Sequence, residues 1–204
     1  MSHVIAVSGY PGAGKTSLVL GLLETLDNAV PIHMDSYERI TDAPIADIAR
    51  WLRDGADIDA FEFPQLEQDL LSLKRGLPVQ DRSSGRSVAG GKYVLFETQF
   101  GRAHRKTGQH VDLQVWIDVP RDIALARNLK AFLAGFLREG QAEQLPDRVR
   151  WLQGYLDTYL GTVNALLEMQ HRRVASDADL ILDGRGDLRS VIETARSEIL
   201  RRLP

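Results

Sequence analysis

Residues 9–16 read Gly-Tyr-Pro-Gly-Ala-Gly-Lys-Thr, and this octet constrains the chain more than any other feature. It fits G-x-x-x-x-G-K-[ST], a spacing in which glycines let the backbone wrap an anion and turn its N–H groups inward. The apolar run Val4-Ile5-Ala6-Val7-Ser8 precedes it, and a helical pattern starts near Lys15. A strand, a glycine-rich loop and a helix in that order aim a helix N-terminus at bound phosphate. Gly9, Gly12, Ala13, Gly14, Lys15, Thr16 and Ser17 are therefore the expected nucleotide-binding residues. In this arrangement Lys15 reaches the β- and γ-phosphates and the Thr16 hydroxyl ligates Mg²⁺.

The remainder of the chain supports a globular setting for that loop. Its 204 residues are 44% apolar and 26% charged, enough to bury a core without staples. The 25 basic and 28 acidic side chains leave a net charge of −3, which speaks against a nucleic-acid partner. Cysteine is absent, so disulfides, thiolate catalysis and cysteine-based metal sites are excluded. Apolar runs are too short for a bilayer span, which predicts no membrane partner. The strand-like run begins within three residues of the first, too soon for a signal peptide, and this predicts a cytoplasmic protein. The oligomeric state stays open, a homodimer among the options.

Apolar runs at 4–8, 30–34, 93–97, 113–118 and 180–183 read as strands buried on both faces. Helical periodicity occupies 16–26, 66–75, 123–137, 148–169 and 188–203, with a short amphipathic piece at 45–52. This alternation predicts an α/β fold with a parallel sheet covered on both faces. The stretch 80–92 is polar and glycine-containing, an exposed loop or short hairpin. Trp51, Trp116, Trp151 and the aromatic residues along 148–169 are expected in the core.

Two carboxylates stand at predicted strand tips, where ligands gather in a parallel sheet. Glu97 ends Tyr-Val-Leu-Phe-Glu and suits a metal-associated group, or a strand-end carboxylate facing solvent. Asp35 follows Val-Pro-Ile-His-Met and suits a base that takes a hydroxyl proton during phosphoryl transfer, or a turn aspartate. Beyond Glu97, Arg102, His104, Arg105 and Lys106 form a cationic cluster. It reads either as recognition of an anionic substrate group or as a solvated loop. Asp183-x-x-Gly186 matches a nucleotide-switch motif in letters only, and no guanine-reading Asn-Lys-x-Asp run exists.

Across most of its length the chain resembles the uridine kinase-like and phosphoribulokinase-like branch of P-loop kinases. Residues 9–16 match the phosphate loop, and Met34-Asp35-Ser36-Tyr37 is similar to the family's Asp-Ser-Phe-Tyr without the phenylalanine. Residues 59–64 fall where the family has Asn-Phe-Asp-His-Pro. Val94-Leu95-Phe96-Glu97 looks like the strand ending in the metal-associated glutamate, and Leu125-Ala126-Arg127 like the start of the lid. Ala178-Asp179-Leu180-Ile181 resembles the last strand. The resemblance implies one three-layer domain over 1–204, with a five-stranded parallel sheet and a helical lid at roughly 127–150. It implies ATP and Mg²⁺, and a small-molecule alcohol as acceptor. Asp35 then acts as base, Lys15 and Arg127 assist transfer, and Thr16 and Glu97 serve the metal. Asp35, Tyr37, Arg39, Asp59, Arg102, His104 and Arg105 are the expected substrate residues. Where the nucleoside kinases carry Pro-Val-Tyr-Asp-Phe, this chain has Pro78-Val79-Gln80-Asp81-Arg82, and Gly85 stands near the place of a later histidine. Losing those rings favours a sugar, a sugar phosphate or another small polar alcohol, with a pyrimidine nucleoside remaining the family default. The family's further lid arginines are replaced by Asn128 and Ala131, with Arg138, Arg148 or Arg150 as candidate substitutes. A nucleotide-binding regulatory protein without transfer activity is the alternative.

Overall fold

The computed structural model describes residues 2–37, 44–80, 82, 85–139 and 144–204. Five parallel strands form the main sheet: β1 (His3–Gly9), β2 (Ala29–His33), β5 (Tyr93–Glu97), β6 (Leu113–Asp118) and β7 (Leu180–Asp183). They lie in the order β2-β5-β1-β6-β7. The stretch predicted as a loop or hairpin is a two-stranded antiparallel hairpin, β3 (Val79–Gln80) and β4 (Ser87–Val88). Among the described residues, no helix is long and apolar enough to cross a membrane.

Strand alternation divides the interior into two layers. Ile5, Val7, Tyr93 and Leu95 pack with Leu18 and Leu22 of α1 (Lys15–Thr25) and with Ala195 and Ile199 of α8 (Leu188–Arg202). Val4, Ala6, Val94 and Phe96 face the other way, onto Ile48 of α2 (Ile45–Arg53) and Leu66, Leu70 and Leu73 of α3 (Pro64–Lys74). Gly21 allows the close seat of α8 on α1, since a Cβ there would lie 2.2 Å from Ile192 Cδ1.

The long helix predicted over 148–169 is three pieces. α6 (Leu145–Thr158) runs into a π-helical turn at Tyr159–Val163 and continues as α7 (Asn164–Val174). The wide turn changes the helical phase, so one apolar stripe cannot serve both halves. α6 buries no residue, whereas α7 buries Leu167, Met169, Gln170 and Val174. This corrects the core assignment of Trp151. It is 46% exposed, and its ring packs on Phe132, Phe136 and Tyr155 rather than in the interior. Phe132 and Phe136 belong to α5 (Arg121–Glu139), so α5 and α6 form a pair of helices with a small aromatic core of their own. Trp116 is fully buried, as expected, and Trp51 is half-buried, its indole donating to the Asp57 carbonyl at 2.7 Å.

Candidate active site

The phosphate loop connects β1 to α1 at the C-terminal edge of the sheet, with Gly14 at the helix N-cap. The loop carries a bend that needs glycine: Gly12 has φ +82°, and a Cβ on it would lie 2.2 Å from the Ala124 carbonyl oxygen. Lys15 folds back over the loop and donates to the carbonyls of Gly9 (3.1 Å) and Tyr10 (3.2 Å). Burial pushes the ammonium pKa down, against the opposing pull of Glu97 and Asp35. A cleft of about 520 Å³ opens from this loop, walled by Gly12–Leu18, Glu97, Arg127, Asn128, Ala131, Gly184 and Gly186.

Sheet register sets the expected metal-associated carboxylate beside the phosphate loop. Glu97 lies opposite both Val7 of β1 and His33 of β2. By strand alternation it continues the series Tyr93, Leu95, Glu97 on the α1 face. There Thr16 donates its hydroxyl to Glu97 Oε1 at 2.8 Å, and His33 Nδ1 meets Glu97 Oε2 at 2.9 Å. Burial alone would raise the Glu97 pKa. The His33 hydrogen bond, the Lys15 charge and the Thr16 hydroxyl outweigh it and hold the carboxyl below its ordinary value. Thr16 and Glu97 are oxygen donors, the type Mg²⁺ prefers, and the described residues hold no group of three or more His, Cys, Asp or Glu that could bind a metal. An ion here would complete its shell with phosphate oxygens and water, the usual mode for Mg²⁺ with a nucleotide.

A second, smaller cavity of about 220 Å³ adjoins the loop and is lined by Lys15, Thr16, His33, Asp35, Glu97 and Gln99, among others. Asp35 sits in the 3₁₀ turn Met34–Ser36 directly after β2 and is exposed. Its Oδ1 accepts from Gln99 Nε2 at 3.3 Å. Gln99 is anchored in turn by the buried Gln170, which donates to its carbonyl at 2.7 Å. Tyr37 turns its hydroxyl to Asp69 Oδ2 at 2.8 Å, and the Arg82 guanidinium lies 5.0 Å from the Tyr37 ring centre. Arg127 stands on the wall of the larger cleft and donates to the Gly184 carbonyl at 2.8 Å.

The cationic cluster is engaged elsewhere. Arg102 donates to Asp177 Oδ2 at 3.0 Å, to the Asp177 carbonyl at 2.7 Å and to Asp179 Oδ2 at 2.8 Å, tying the turn after β5 to the segment before β7. His104 is fully buried and caps α4 (Arg105–Gly108), with Nδ1 on Thr107 and Nε2 3.1 Å from the Phe61 carbonyl. Arg105 and Asp59 hold each other, through the Arg105 side chain and its backbone N–H (2.8 Å). None of these four residues lines either cavity. Arg39 lies outside the described residues.

Several lining residues went unread in the sequence. His33 and Gln99 carry no spacing signal, because only the register and the turn after β5 bring them in. The far wall of the cleft comes from Ile117, Asn128, Ala131, Gly184, Gly186, Leu188 and Val191. Gly184 and Gly186 belong to the stretch whose letters mimic a switch motif. Their glycine content was the available signal, since it lets backbone approach a ligand.

No protein-family model matches the chain. Among curated proteins, a uridine kinase of Halobacterium salinarum is 24% identical over 193 residues, covering 89% of this chain and 80% of its own. A uridine kinase of Borrelia garinii subsp. bavariensis is 24% identical over 172 residues, covering 79% and 77%. One from Deinococcus deserti is 29% identical over 141 residues, covering 62% and 66%. Among solved structures, an unliganded sugar kinase from a Janibacter species shares the fold, with a TM-score of 0.50 at 15% identity over 100% of this chain and 97% of that one. With a phosphate loop, a strand-end glutamate and a five-stranded parallel sheet, the chain is similar to the uridine kinases among P-loop kinases, phosphotransferases with a hydroxyl acceptor.

Proposed function

We propose that this kinase is Mg-dependent and transfers the γ-phosphate of ATP to a hydroxyl of a small, polar acceptor bound beside Asp35. The observation that carries the reading is the convergence of Lys15, Thr16, Asp35 and Glu97 on one small cavity next to the phosphate loop. Loop backbone and Lys15 hold the phosphates, while Thr16 and Glu97 hold the metal, which supplies charge neutralisation when bound. Asp35 accepts the hydroxyl proton as the acceptor oxygen bonds to the γ-phosphorus and the bridging oxygen leaves with ADP. Closure of the α5–α6 pair brings Arg127 toward the phosphates and excludes water that would otherwise hydrolyse ATP.

The choice of a polar acceptor rests on the hairpin side. The hollow between α3 and the hairpin is lined by Gln65, Gln68, Asp69, Ser72, Gln80 and Arg82 among others, with no aromatic ring among its described lining residues. Side chains of this kind recognise hydroxyl-rich molecules better than they stack a base. The relatives' names keep nucleosides in contention as acceptors.

The test is ADP release with Mg-ATP across nucleosides, free sugars, sugar phosphates and hydroxy acids, each beside Asp35→Asn. One acceptor should give a strong signal that drops about 100-fold or more in the variant while nucleotide affinity stays within a few-fold. A flat panel with tight Mg-ATP binding would instead favour a nucleotide-binding protein without transfer activity.

A further inference from the structure

His33 has no place in the function described so far, yet it is the side chain best placed to govern how Glu97 meets a metal. We propose that His33 is a positioning residue for metal binding: its imidazole fixes one carboxylate oxygen of Glu97 so that the other stays aimed at the Thr16 hydroxyl. This deepens the kinase reading and rests on it.

The argument starts from register. β2 and β5 are parallel neighbours, and His33 and Glu97 are paired positions at their C-terminal ends. Paired residues on adjacent strands project to the same face at the same level, so both side chains emerge beside the first turn of α1. Nδ1 of His33 lies 2.9 Å from Glu97 Oε2, and Thr16 Oγ1 lies 2.8 Å from Oε1. A carboxylate only accepts, so the proton of the first bond sits on Nδ1. Each Glu97 oxygen thus has one donor, and the two donors differ in kind. Thr16 can offer a lone pair to an incoming ion, so its oxygen serves both Oε1 and the metal. The imidazole bond lies on the opposite oxygen and has no reason to break. Glu97 is only 16% exposed, so without His33 a buried carboxylate oxygen would lose its partner and the side chain would gain freedom to leave the site. Donors that orient a metal-binding carboxylate typically change metal affinity by about 10- to 100-fold when removed.

The experiment measures ADP affinity of the intact chain with and without Mg²⁺, by calorimetry, in wild type, His33→Ala, His33→Asn, Glu97→Gln and the double variant His33→Ala/Glu97→Gln. In wild type, Mg²⁺ should tighten ADP binding. His33→Ala should cut that tightening about tenfold while metal-free affinity stays within about twofold. His33→Asn, whose side-chain amide N–H replaces Nδ1, should recover most of it. In the Glu97→Gln background, removing His33 should have no further effect, since a residue acting through Glu97 has nothing left to act on. An unchanged Mg²⁺ effect in His33→Ala overturns the proposal, as does equal loss with and without metal, which would mark a merely structural histidine. A full Mg²⁺ effect in Glu97→Gln would overturn the assignment of Glu97 to the metal, a different failure that the same data distinguish.

Discussion

Arg102 shows how far a side chain's chemistry is decided by what it meets. Read in sequence, it is one of four cations just past a functional strand end, a good shape for an anion-binding loop. In the fold its guanidinium makes three hydrogen bonds to Asp177 and Asp179. We expect Arg102→Ala to lower unfolding stability by about 2 kcal/mol, the scale of hydrogen bonds between charged groups. Urea denaturation measures this, and acceptor KM should not move. Unchanged stability with a raised KM for an anionic acceptor would instead support the anion-site reading. Lys15 and Glu97 belong to the opposite class. Their hydrogen-bond partners lie around the candidate site, beside the strand end and the loop that the sequence marks.

The phosphate loop owes its shape to another element as much as to its own glycines. Gly12 combines a left-handed backbone with the carbonyl of Ala124, near the start of α5, where a side chain would have to go. Gly12→Ala should therefore cost about 1–3 kcal/mol of stability and at least about tenfold in nucleotide affinity, both read by thermal shift with and without Mg-ATP. Retained affinity would mean that α5 gives way without moving the loop. The motif leaves this position open, and the reason for a glycine here lies in a helix that begins more than a hundred residues later. The break in the long helix has a similar origin. Periodicity reads one stripe through 148–169, but the π turn at Tyr159–Val163 lets the first half leave the core. Nothing local in those residues marks the change of phase.

For the whole molecule, α5 begins in the core, where Ala124 is buried, while its C-terminal part and α6 join each other through Phe132, Phe136, Trp151 and Tyr155. Leu137 of α5 and Leu145 of α6 are 82% and 61% exposed, apolar surface suited to a helix pair that closes over a cleft. Trp151 is the reporter of that motion, because Trp116 is fully buried. In a Trp51→Phe background, acrylamide quenching of the exposed tryptophan should fall by about half or more when a non-hydrolysable Mg-ATP analogue and acceptor bind together. Quenching that ignores both ligands would leave α5–α6 a fixed wall.

Fold class and the placement of the candidate site's central residues were written locally. Strands 93–97, 113–118 and 180–183 match their apolar runs to the residue, and the phosphate loop, Asp35 and Glu97 sit at the strand ends where such runs put them. Period-two burial and glycine-rich turns act over a few residues, so a linear reading captures them. The His33–Glu97 pair, the bond between Asp59 and Arg105, and the glycine wall after β7 were not readable that way. Each depends on which strand lies beside which and on how helices seat against the sheet. Those choices are made by burial across the whole chain, and no single stretch of residues carries them.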